Sequence, residues 1–182
     1  MSKLTEDLHS LLSDPHADAL PTRRGFIKTT LGAGFALAVL PTLSDAAIVT
    51  DTEGLDAGTV TVMSGDHPMP VYRAQPTGKK QLPVVLVVSE IFGVHQHIAD
   101  IARRFAKLGY LALAPDLFGR QGDPSIYTSI PELLRNVVAK VPDDQVMQDL
   151  DTCVAWAYRN GGDTSRIGMT GFCWGGRITW LY

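Results

Sequence analysis

The sequence predicts an α/β fold, a mostly parallel sheet covered by helices and preceded by an N-terminal β-hairpin. Three observations carry this. Pro83–Ser89 and Tyr110–Ala114 are short, nearly unbroken apolar runs, the pattern of strands buried on both faces of a parallel sheet. Between them, Ile98, Ile101, Ala102, Phe105 and Leu108 recur at helical spacing with charges between, so strand, helix and strand follow as a right-handed βαβ unit. Upstream, Thr59–Val62 and Pro70–Ala74 flank a Ser64-Gly65-Asp66 turn and read as the hairpin.

Composition sets the bounds. The 182 residues suffice for one domain with a core. A hydrophobic share of 45% with 19% charged residues argues for a globular chain. A formal charge of −3 gives no electrostatic case for nucleic acid. Two cysteines, Cys153 and Cys173, are too few for a disulfide framework.

In chain order, residues 1–46 read as an export segment. Thr22-Arg23-Arg24-Gly25-Phe26-Ile27-Lys28 carries the paired arginines of a twin-arginine signal. The apolar run Leu31–Leu40 is too short to span a bilayer well, and Ser44-Asp45-Ala46 has the small-x-small form of a cleavage site. A periplasmic destination follows, with membrane contact only through this segment; the alternative is a buried helix after a solvated polar leader, and a cytoplasmic chain. Residues 47–58 read as a linker and 59–182 as the folded domain. After the βαβ unit, Ser129 and Glu132 form a capping-box pair that opens a helix to about Lys140. Pro142 breaks it. A longer helix runs from about Asp143 to Asn160 on the stripe Val146, Leu150, Cys153, Val154, Ala157. Arg166–Thr170 is a short buried strand, and Arg177–Leu181 begins a last helix.

Between that strand and helix lies Gly171-Phe172-Cys173-Trp174-Gly175-Gly176. This is the form of a nucleophile elbow, with cysteine in the usual place of serine. The turn lifts one side chain out of a buried sheet, and the backbones crowd so closely that the residues two before and two after must be small. Two loops share the carboxyl edge of the sheet, where open α/β sheets bind ligands. Ser89-Glu90-Ile91-Phe92-Gly93-Val94 follows the first buried strand. Pro115-Asp116-Leu117-Phe118-Gly119-Arg120-Gln121-Gly122 follows the second and offers Arg120, a planar cation suited to a carboxylate. Cys153, on an apolar stripe, reads as core. His95 and His97 are two apart with no third ligand near and read as a solvated helix start. Trp180 and Tyr182 read as core-facing or terminal.

Together these three segments resemble the dienelactone hydrolase family, the carboxymethylenebutenolidases, over roughly residues 59–182. The resemblance implies an incomplete α/β-hydrolase fold, the N-terminal part of such a domain, and ester or lactone hydrolysis by a cysteine nucleophile. It implies Cys173 as nucleophile and Glu90 as the carboxylate that meets the resting thiol and helps form the thiolate. It implies the Ile91 and Trp174 amides as oxyanion hole, and Arg120 as the holder of a substrate carboxylate, hence a small anionic ester or lactone. No metal or organic cofactor is implied. The family's catalytic aspartate and histidine follow the elbow, and the sequence stops at Tyr182. The alternative reading is therefore a truncated, catalytically silent fragment, able to pair with a complementary one.

Overall fold

The computed structural model describes residues 49–182, so the twin-arginine motif and its apolar run lie outside the described residues. Strands β1 (Leu55–Ser64) and β2 (His67–Pro76) form the hairpin, antiparallel from Leu55 opposite Pro76 to Ser64 opposite His67. The pairing begins four residues earlier than expected, so Leu55–Gly58 is strand rather than linker. Gly65 takes a φ of 62° in the two-residue turn, a conformation that suits glycine.

Strand β3 (Leu82–Val88), helix α1 (Gln96–Lys107) and strand β4 (Leu111–Pro115) make the expected βαβ unit, with β3 and β4 parallel. The sheet order is β1-β2-β4-β3-β5, where β5 (Gly162–Gly171) lies parallel to β3. Three parallel strands thus carry an antiparallel hairpin on the β4 side.

Strand alternation sends successive side chains to opposite faces. Val85 and Val87 meet α1, where Ala102, Ala106, Ala112 and Ala114 form a thin layer with Ile98. Val84, Leu86 and Val88 face the other way, into the larger core with Leu111, Leu113, Phe118, Val146, Leu150, Cys153 and Ala157. Burying each of the larger aliphatic chains contributes about 1.5–3 kcal/mol before chain entropy is counted.

Helix α3 (Asp143–Arg159) supplies that second face through the expected stripe, with Val154 only half-buried. Helix α2 (Ile130–Asn136) is shorter than expected. The Ser129 side chain makes no cap, and at buried Val137 (φ −121°, ψ −68°) the chain leaves helical geometry before a single 3₁₀ turn over Val138–Lys140. Leu108 is also corrected: α1 ends at Lys107, and Leu108 is its exposed C-cap rather than core. Strand β5 is twice the expected length but not buried. Among the described residues it pairs only with β3, and Ser165–Gly168 are exposed. Helix α4 (Trp174–Leu181) follows, and Trp180 on it is 90% exposed, not core-facing.

Candidate active site

Cys173 sits between β5 and α4 with φ 54° and ψ −114°. L-residues rarely adopt this region, and holding one there costs about 1–3 kcal/mol. The surroundings impose it. The Phe172 amide donates to the Val88 carbonyl at 3.1 Å, and the Gly175 and Gly176 amides donate back to the Phe172 and Cys173 carbonyls at 2.8 and 3.0 Å. Both glycines are obligatory. A Cβ on Gly171 would sit 2.6 Å from Thr179 Oγ1 and closer still to the Gly175 carbonyl. A Cβ on Gly175 would sit 2.5 Å from the Ser89 carbonyl and closer still to that of Val88. The elbow is thus pressed against the end of β3, directly before Glu90. Arg177, one turn into α4, donates to both carboxylate oxygens of Asp143 at the start of α3.

Glu90 is 5% exposed, and its Oε2 lies 3.1 Å from His95 Nε2. An ionised carboxylate only accepts, so the imidazole donates. Burial pushes the Glu90 carboxyl up, but the His95 hydrogen bond, its own amide and the charges of His95 and His97 outweigh that and hold it below the ordinary glutamate range. A tight turn returns residue 95 to residue 90: Gly93 takes φ 75°, and the His95 amide donates to the Gly93 carbonyl at 3.0 Å. The His95 and His97 rings stack with centroids 6.1 Å apart, and His97 meets Phe172 edge-on at 6.2 Å. The Cys173 thiol is pushed up, first by packing around the sulfur and then by the negative charge of Glu90; the Trp174 amide opposes both. Trp174 itself is buried, its indole against the Phe118 ring at 4.7 Å. Ile91 is buried beside Glu90.

Glu90, Ile91, Cys173 and Trp174 therefore converge where β3 and β5 end. Arg120 does not share their chemistry. Its two Nη groups donate to Asp149, and Nη2 donates also to the Ser64 carbonyl at 3.0 Å. Asp149 is wholly buried and also accepts from Ser64 Oγ. The fork that the sequence assigns to a substrate carboxylate holds an internal one here, tying the hairpin turn to α3. The sequence held a signal for it, since Asp149 falls on the same helical stripe as Val146, Leu150 and Cys153. The reading of His95 as a solvated helix start is corrected. It precedes α1 at the N-cap position, but its ring points at Glu90. His95 also borders a cavity of about 740 Å³ whose walls include Tyr72, Phe92, Asp116 and Asp123. Burial raises the Asp116 carboxyl above the ordinary aspartate range, against the Phe118 and Gly119 amides.

Residues 69–182 match the family model described as the dienelactone hydrolase family. A relative from Methylorubrum extorquens, named "Putative carboxymethylenebutenolidase", is 53% identical over 183 residues, covering 100% of this chain and 62% of the relative. One of the same name from Escherichia coli K12 is 54% identical over 155 residues, 85% of this chain and 57% of its own. The crystal structure of a "Putative Dienelactone Hydrolase" from Klebsiella pneumoniae superposes with a TM-score of 0.69 at 55% identity, covering 70% of this chain and 54% of that one. The chain thus spans about three fifths of the length of these relatives. An elbow pressed against the end of a parallel strand, and a family match that runs from the hairpin to the last helix, lead to one assignment: this chain belongs to the dienelactone hydrolase family.

Proposed function

We propose that Cys173 is the nucleophile of a small-ester or lactone hydrolase. The observation that supports it most is the strained backbone of Cys173, held in place by two glycines that no other residue could replace. Strain of this kind persists where the surroundings over-determine it, and it presents the thiol above the start of a helix.

In this reading substrate enters beside Glu90, and the thiol proton passes to that carboxylate. The thiolate attacks the ester carbonyl carbon. The resulting oxyanion is held by the amides of Ile91 and Trp174, the latter free of an intrahelical partner as the first residue of α4. Collapse expels the alkoxide, which takes the proton held on Glu90; water then attacks the acyl-cysteine, releasing the acid and returning a proton to the Cys173 thiolate. The reading of the substrate as anionic rested on Arg120, whose guanidinium Asp149 already holds. The proposal is accordingly for a small ester or lactone without a charge requirement set by that residue.

The test is acylation rather than turnover. With p-nitrophenyl acetate, the 182-residue chain should release a burst of one p-nitrophenolate per chain, with the acetyl group located on Cys173 by peptide mass spectrometry. Cys173→Ala should show none. A wild-type chain without a burst, or a burst that survives in Cys173→Ala, rejects the assignment.

A further inference from the structure

The Glu90–His95 pair raises a question the family assignment does not answer: why a histidine, rather than solvent, meets the carboxylate beside the nucleophile. We propose that His95 is a positioning residue, whose imidazole clamps the Glu90 carboxylate and, by offsetting its charge, tunes the reactivity of Cys173. The proposal rests on the reading of Cys173 as nucleophile and deepens it.

The geometry is specific. The turn through Gly93 serves to bring residue 95 back over residue 90, and Nε2 reaches Oε2 at 3.1 Å. Glu90 is almost wholly buried while His95 keeps 24% of its side chain exposed. The carboxylate is therefore shielded, near enough to the elbow for its charge to act on the Cys173 thiol, and the imidazole is the more exposed member of the pair. The elbow abuts the same strand end: the Gly175 backbone packs on the Val88 and Ser89 carbonyls, and Phe172 lies against His97. In the resting chain, before a substrate brings the thiol proton to Glu90, the full negative charge of that carboxylate opposes thiolate formation at Cys173. A hydrogen bond from His95 lessens that opposition, and a protonated His95 lessens it more.

Other charged groups face His95. His97 stacks on it from the first turn of α1; Asp116, Asp123 and Arg103 line the same cavity. Of these only His97 is a second imidazole, so it is the control.

The experiment is alkylation of Cys173 by iodoacetamide as a function of pH, read by mass spectrometry on the whole chain. Cys153 is wholly buried with its thiol pushed up to about 12, so it stays unlabelled while the fold is intact. A simple thiol loses rate about tenfold per pH unit below its pKa. Wild type should fall less steeply than that on its acidic limb, because an imidazole that takes up a proton offsets the Glu90 charge. His95→Gln keeps a donor near the Nε2 position but cannot take the proton, so its limb should regain the tenfold slope. His97→Gln should keep the shallow limb. His95→Leu removes the bond and should slow alkylation at neutral pH by about three- to tenfold. In a Glu90→Gln background the same leucine substitution should change the rate by less than about twofold, because its effect runs through the carboxylate.

Two results overturn the proposal. One is a limb equally steep, or equally shallow, in wild type and His95→Gln. The other is a His95→Leu effect of the same size with and without the Glu90 carboxylate. Should His95→Leu expose Cys153, the comparison of wild type with His95→Gln decides alone. No ester is involved, so absence of an acylation burst would reject the hydrolase reading while leaving this result legible.

Discussion

Gly175→Ala is the sharpest perturbation of the elbow. A Cβ there would lie 2.5 Å from the Ser89 carbonyl oxygen and closer still to that of Val88, where ordinary contact begins at 3.4 Å, so α4 and the end of β3 must part by more than about 0.9 Å. Neither side yields easily. The Val88 carbonyl accepts from the Phe172 amide at 3.1 Å, and α4 is tied to α3 through Arg177 and Asp143. Overpacking costs about 1–3 kcal/mol when side chains can shift. Here the obstacle is backbone, so about 3 kcal/mol is a lower estimate. For a domain of this size that lowers Tm by about 10 °C. Gly176→Ala is the matched control. Its Cβ would meet only the Gly171 carbonyl, at 3.5 Å, and helix propensity should gain up to about 1 kcal/mol. Differential scanning calorimetry of the two variants decides. If they melt within about 2 °C of each other, the crowding deduced for the elbow is wrong.

Two further outcomes follow from the buried charges. Arg120→Ala leaves wholly buried Asp149 without its cation and should cost about 3–5 kcal/mol in urea unfolding, whereas Arg120→Met with Asp149→Leu should recover most of it; unchanged stability in the single variant would free Arg120 for a substrate role. On acidification, Glu90, Asp100 and Asp143 all have folded pKa values below their unfolded ones. Their contribution is complete above the ordinary carboxylate range and is lost as pH falls through the depressed values. Asp116 has the opposite sign: its raised pKa means a penalty above that value, relieved in acid. The urea midpoint should therefore drop below about pH 4, less steeply in Glu90→Gln. A midpoint that rises there instead would show that Asp116 dominates.

The legible parts of the sequence were those where period and chemistry coincide. Apolar runs announced β3 and β4, the 3.6-residue stripe announced α1 and α3, and the glycine spacing announced the elbow. Pairings across the fold were not legible. Arg120 looks like a ligand-binding arginine until Asp149, 29 residues on, is folded against it. His95 looks solvated until a glycine turn reverses the chain. The Ser129 and Glu132 pair looks like a capping box, yet the Ser129 side chain makes no cap. The exposure of β5 could not be read from its residues, because burial of a strand depends on neighbours rather than on its own pattern.

The two sides of β4 are unequal, with Leu111 and Leu113 in the core against α3 and Ala112 and Ala114 in the layer against α1. Sliding that strand by a single position would force leucine into a layer lined by alanines and leave gaps on the other side. Such asymmetry acts as a ratchet for alignment. It fixes the height at which β4 runs and, through the parallel pairing of β4 with β3, the height at which Glu90 emerges, so residues far from the chemistry set its tolerance.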